Sequence, residues 1–170
     1  YGLMGAALFI PLSKAIFGDL ITGGNIISGS MTLAVIVLPV IIKATESTNY
    51  TNSHLYGQVN SALNNGMKIG FYHFFRNNGT AEAQYFVSKI KPYLSKMKVK
   101  PVIDVETDYS YSEVISFIKY VESALSVPCM VYCNYSYAKQ LSLNSEIAKR
   151  TLWLAYYGVN DGNYYPAPNN

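Results

Sequence analysis

Lys100-Pro-Val-Ile-Asp-Val-Glu106 is the stretch from which the rest of the chain is read. Apolar residues lead into Asp104 and Glu106, which flank Val105. In a strand, successive side chains point to opposite faces, so the two carboxylates share a face with Cα atoms roughly 6.5–7 Å apart. Like charges at the end of a buried strand repel and cost desolvation, so stability does not explain them. Catalysis does: such pairing raises the pKa of one member, which suits a general acid, and a carboxylate pair is the equipment of glycoside hydrolysis. The competing reading is a solvated strand end, since Asp-x-Glu arises often by chance.

Outward from this strand, helical and strand patterns alternate. Residues 53–65 have a helical pattern closed by Gly66, a natural left-handed cap. Met67 to Phe75 is a strand. Ala83, Phe86, Val87, Ile90 and Leu94 recur at helical spacing, with Thr80 as N-cap. Ser112 is placed to cap a helix whose buried face is Val114, Phe117, Ile118, Val121 and Leu125. Pro128 opens a strand over Cys129 to Cys133, a weaker helix covers Ser136 to Lys149, and Thr151 to Tyr157 is the last strand. Asp161 to Asn170 is loop. Strands alternating with helices imply a parallel α/β sheet, either doubly wound or closed as a β/α barrel, with function at the carboxyl ends of the strands. His73, Asp104, Glu106, Tyr132 and Tyr156 all lie late in their strands. No Gly-x-Gly-x-x-Gly and no P-loop sequence follows a strand, which argues against a nucleotide-binding sheet.

Composition narrows the classes. The net charge of +3 comes without a basic run, which excludes an obvious nucleic-acid partner. Sixteen tyrosines suit a carbohydrate cleft, although Tyr also packs well in strands and at core edges. Cys129 and Cys133 on one strand lie roughly 13 Å apart, too far for a disulfide. With only His54 and His73 as histidines there is no zinc pattern, and neither a metal nor a cofactor is expected. Residues 20–42 carry no charge, a length that spans a bilayer as a helix, and residues 1–12 are largely apolar. We therefore divide the chain into an apolar segment, residues 1–39, open to membrane association, and an α/β region, residues 40–170. Val37 to Lys43 is expected to pair as a strand beside Met67 to Phe75. The sequence starts at Tyr1 without a recognisable signal peptide, as a fragment would.

From Val40 onward the chain resembles the family 25 glycoside hydrolases, the N-acetylmuramidase type of lysozyme. The matching pieces are Val40-Ile-Ile-Lys-Ala-Thr-Glu46, Asn49-Tyr50, Gly70-Phe-Tyr-His-Phe-Phe-Arg76, Ala81-Glu-Ala-Gln-Tyr-Phe86, Pro101-Val-Ile-Asp-Val-Glu106, Val131-Tyr132 and Leu152-Trp-Leu-Ala-Tyr156. The resemblance implies an irregular β/α barrel that cleaves the β-1,4 bond between N-acetylmuramic acid and N-acetylglucosamine in peptidoglycan, outside the cell or in its wall. It makes Glu106 the catalytic acid and Asp104 its carboxylate neighbour. It places Tyr72, Tyr132, Trp153 and Tyr156 in or near the substrate groove, while for Trp153 a core position is the competing reading. The family's opening strand with Asp-Val-Ser and its late strands find no match, which implies an incomplete barrel with impaired hydrolysis. Residues 29–46 also resemble a membrane segment of the phosphate ABC transporter permease, implying a chimeric chain joined near residues 40–46 with an apolar N-terminal helix. Two further functions follow as alternatives: a permease fragment, or a glycan-binding fold without turnover.

Overall fold

The computed structural model describes residues 39–155. Strand order follows chain order over most of one sheet, because each strand is returned beside its predecessor by a helix. The elements are β1 (Val40–Glu46), β2 (Tyr50–Thr51), α1 (Leu55–Asn64), β3 (Ile69–Phe74), α2 (Gly79–Ile90), a 3-10 turn (Lys91–Lys96), β4 (Val102–Val105), α3 (Tyr111–Leu125), β5 (Met130–Asn134), α4 (Tyr135–Leu141) and β6 (Leu152–Ala155). The sheet runs β2-β1-β3-β4-β5-β6, parallel throughout except for the short β2, which turns back on β1. Among the described residues the sheet is open. The expected pairing of the segment around Val40–Lys43 with the strand after Gly66 is present, with Val40 opposite Ile69 and Lys43 opposite Tyr72. Val40, Ile41 and Ile42 therefore belong to a strand, and residues 20–42 are not one membrane helix as their lack of charge had suggested. Among the described residues no helix is long and apolar enough to cross a membrane. The apolar segment 1–39 otherwise lies outside the described residues, apart from Pro39.

Parity along the strands assigns the faces. Phe71, His73, Ile103, Val105, Val131 and Cys133 face the helices and are buried. Val59 of α1, Phe86 of α2 and Phe117 of α3 cover them, each fully buried. Tyr72, Val102, Asp104, Tyr132 and Trp153 lie on the other face. A bulge at β1 refines the pattern: Lys43 pairs with Tyr72 but Thr45 pairs with His73, so Ala44 is the extra residue. The bulge turns Thr45 toward the helices beside His73 and returns Glu46 to the opposite face. Cys129 and Cys133 are buried free thiols, as their spacing predicts. Burial is the chief cause that pushes them up to about 12 and about 11, so both stay protonated at neutral pH.

Helix ends depart from the sequence expectation in instructive ways. Gly66 does close α1: its φ is +68°, its N–H donates to Leu63 and the next N–H, from Met67, reaches Ala62. This is a Schellman arrangement. The cap of α2 is Asn78 rather than Thr80, and its side chain makes no capping bond. The free N–H groups find carboxylates instead: Glu82 accepts from Asn78, and Glu113 of the neighbouring helix accepts from Gly79. Ser110, not Ser112, caps α3 through the N–H of Glu113. The helix through Leu94 breaks after Ile90, where Pro92 lies in the following 3-10 turn. The stretch 136–149 is helical only to Leu141, and beyond it Asn144 accepts from the N–H of Glu146 in a turn.

Candidate active site

A cavity of about 250 Å³ opens on the sheet face away from the helices, lined by Tyr72, Val102, Asp104, Glu106, Tyr132 and Trp153. Parity explains the set: Tyr72 is beside Val102, Asp104 is beside Tyr132, and Tyr132 is beside Trp153. Glu106 follows two residues after Asp104, just past the end of β4. Five of the six expected site residues thus line one cavity. Tyr156 lies outside the described residues. Val102 is the lining residue that sequence reasoning did not single out, because nothing distinguishes it from the other apolar strand residues.

The two carboxylates differ in environment. Asp104 is 6% exposed, and its Oδ1 is buried with no hydrogen-bond partner among the described residues. Burial, and secondarily the charge of Glu106, pushes its carboxyl up to about 7, against the opposing charge of Lys43. Glu106 is exposed at the mouth. The raised pKa thus belongs to the buried Asp104, through burial first and the neighbouring carboxylate second. Tyr72 is also shifted up, chiefly by burial, with Asp104 and Glu106 adding to it. Trp153 is 42% exposed and meets Tyr132 edge to face, with centroids 5.1 Å apart. The core reading of this Trp is thereby excluded. The aromatic pair forms an apolar wall of the kind that ligand pockets use.

Lys43, Glu46 and Arg76 form a charged cluster at the carboxyl ends of β1 and β3. Glu46 accepts from Lys43 and from both Nε and one terminal nitrogen of Arg76, which holds its carboxyl below the usual range. Lys43 lies 4.9 Å and Arg76 4.5 Å from the centroid of Phe74.

His73, a late-strand candidate, is not in the cavity. It sits fully buried on the helix side, with Nδ1 2.8 Å from Thr45 Oγ1 and Nε2 2.6 Å from Glu82 Oε2. Glu82 also accepts from the backbone N–H groups of Arg76 and Asn78, so it is an acceptor here. Burial lowers the His73 pKa despite that carboxylate. The neutral ring then keeps its proton on Nε2 for Glu82 and accepts from the Thr45 hydroxyl at Nδ1. The network locks β1, β3 and α2 together under the cavity floor. Sequence reasoning missed Glu82, although a signal was present: a lone acid on the apolar stripe with Ala83, Phe86 and Ile90 needs a buried partner. No group of three or more His, Cys, Asp or Glu placed to hold a metal occurs among the described residues.

The model of the glycosyl hydrolases family 25 matches residues 34–170, a range that starts inside the segment read from sequence as membrane-like. The chain is 34% identical to an autolytic lysozyme of Clostridium acetobutylicum, over 73% of this chain and 39% of that protein. It is 32% identical to a lysozyme of Streptococcus phage Cp-9, over 75% of this chain and 40% of that protein. The chain thus spans about two fifths of the length of these curated relatives. Among solved structures, a muramidase from Trichobolus zukalii superposes with a TM-score of 0.60 at 25% identity, covering 74% of this chain and 69% of that one.

Proposed function

The chain belongs to the glycosyl hydrolases family 25, and from that premise we propose that it is a peptidoglycan hydrolase acting on the β-1,4 bond between N-acetylmuramic acid and N-acetylglucosamine. The observation that carries the reading is the shared cavity of Asp104, Glu106, Tyr72, Tyr132 and Trp153. In this proposal Glu106, open at the mouth, reaches the glycosidic oxygen and donates its proton as the leaving group departs. Asp104 lies deeper and presents a buried oxygen without a partner, an atom that a polar group of the bound sugar would satisfy. Its neighbouring negative charge, when ionised, favours the positive charge that develops on the sugar ring. Tyr72, Tyr132 and Trp153 supply the walls on which the sugar rings rest, and Tyr156 is a further proposed substrate-binding residue. The five parallel strands in chain order support a further proposal, that the sheet is part of a β/α barrel wall. The substrate places the protein outside the cell or in the wall.

The test is hydrolysis of purified peptidoglycan, followed by identification of the new reducing ends. Reducing N-acetylmuramic acid is expected, and Glu106→Gln should lower the rate by at least about 100-fold while sugar binding persists. Reducing N-acetylglucosamine, or an undiminished rate in Glu106→Gln, would refute the assignment. Binding without turnover in the parent would instead favour a glycan-binding fold.

A further inference from the structure

A second cavity, of about 480 Å³, opens at the same end of the sheet, lined by Asp108, Tyr109, Ser110, Tyr111, Tyr137 and Gln140. Its position follows from the topology. Asp108 comes two residues after Glu106 in the loop between β4 and α3, and Tyr137 lies in the first turn of α4, which continues directly from β5. The ring of Tyr109 meets Tyr111 at 5.8 Å and Tyr137 at 5.2 Å, both edge to face. Two hydroxyls are fixed: Tyr109 donates to Gln140 Oε1 at 3.3 Å and Tyr111 donates to the Gln140 carbonyl at 2.9 Å. Tyr109 is pushed up to about 12, chiefly by burial, so its hydroxyl remains a neutral donor. The exposed carboxylate of Asp108 and the side-chain NH₂ of Gln140 have no partner among the described residues.

Preformed rings edged by one free acceptor and one free donor match a neutral sugar. Its C–H face lies on an aromatic ring, its hydroxyls reach a carboxylate, and an acetamido carbonyl takes an amide N–H. A peptide with free carboxylates fits less well, since Asp108 and nearby Glu106 would repel it. We propose that this rim pocket is a distal subsite for the glycan strand, taking a neutral N-acetylglucosamine ring remote from the bond held at Glu106. The proposal rests on the peptidoglycan reading of the main cavity.

The experiment measures calorimetric affinity in a Glu106→Gln background, so that no ligand is cut. The probes are peptide-free strands of alternating N-acetylglucosamine and N-acetylmuramic acid, four and eight sugars long. Asp108→Ala, an exposed change that breaks no internal bond, and Tyr111→Ala should each weaken the eight-sugar strand about tenfold and leave the four-sugar strand unchanged. No loss on the longer strand, or equal loss on both, overturns the subsite. So does a loss that appears only when stem peptides are attached, which would make the pocket a peptide site. If Glu106→Gln alone binds neither length, the peptidoglycan reading fails and the subsite with it, a result distinct from failure in the rim variants.

Discussion

Asp104 and Glu106 are two residues apart and share a cavity, yet their surroundings divide them. Asp104 is largely buried at the cavity floor and holds its proton to about pH 7, whereas an unfolded Asp releases it near 3.8. Between those values the folded state binds more protons than the unfolded one, so this group's contribution to stability falls as pH rises. The contribution is intact below about pH 4 and lost above about pH 7, a change of roughly 4 kcal/mol. His73 acts with the opposite sign, because burial lowers its pKa below 6.5 and stability gained there rises with pH. The difference between the parent and Asp104→Asn isolates the carboxyl. In urea titrations, Asp104→Asn should gain on the parent from pH 4 to pH 8; a pH-independent difference would show that Asp104 is not held protonated. Glu82 lends itself to a second test. Glu82→Ala strands His73 Nε2–H and two backbone N–H groups in a dry layer, and should cost about 3–5 kcal/mol. Thr45→Val removes only the hydroxyl partner of Nδ1 and should cost about 1–3 kcal/mol. Equal losses in the two variants would contradict the network described.

At the scale of elements, the close meeting of α2 with α3 has no precedent in either helix taken alone. A Cβ on Gly79 would stand 2.2 Å from the Glu113 carbonyl oxygen and 2.9 Å from its carboxylate, so two backbones must part to admit it. Gly79→Ala should therefore lose about 3 kcal/mol of unfolding free energy in denaturant titrations, together with the Glu113 cap. Gly57, exposed within α1 with nothing near its missing Cβ, is the control: Gly57→Ala should gain up to about 1 kcal/mol. Similar effects at the two positions would show that helix propensity, not close approach, governs Gly79. This contrast also marks what the sequence could tell. The buried faces of α2 and α3 were legible because apolar spacing is a local property of the chain. The shared face of Asp104 and Glu106 was legible for the same reason, whereas Tyr72, Tyr132 and Trp153 were joined to them only by the family resemblance, because the register between strands is not local. The caps were not: Thr80 and Ser112 are good local candidates, but Glu82, Glu113 and Ser110 prevail through contacts that only the assembled fold supplies. The bulge at Ala44 was equally hidden, since it brings Thr45 to a partner, His73, that lies on another strand.

Over the whole molecule, the sheet has a graded interior. β4 lies between β3 and β5, and all of its residues from Val102 to Val105 are buried. β6 lies at the other extreme: among the described residues it has a neighbour only in β5, and Leu152 and Trp153 are 45% and 42% exposed. β1 is intermediate, paired along its length with β3 but with β2 only at Thr45 and Glu46. Stability should follow this gradient, because local opening costs least where few apolar contacts and few ladder bonds must break. Phe117 makes the centre stiff, with its ring 5.0 Å from His73, 5.8 Å from Phe75 and 5.9 Å from Phe86. Asp104 thus stands on the firmest strand, with Glu106 just past its end, while Trp153, on the same cavity, stands on the least supported one. On the proposed function, carboxylates on the central strand and an aromatic wall on a yielding one would let sugar rings enter without disturbing the carboxylates. Native-state hydrogen exchange tests this directly. Amides of β3 and β4 should exchange only through global unfolding, with the full denaturant dependence. Those of β6 should open by a local route of lower energy and little denaturant dependence, and a bound glycan should slow them selectively by holding Trp153. Exchange of β6 at the same rate and denaturant slope as β4 would mean that the sheet opens as one unit, and the cavity wall would then have no mobility of its own.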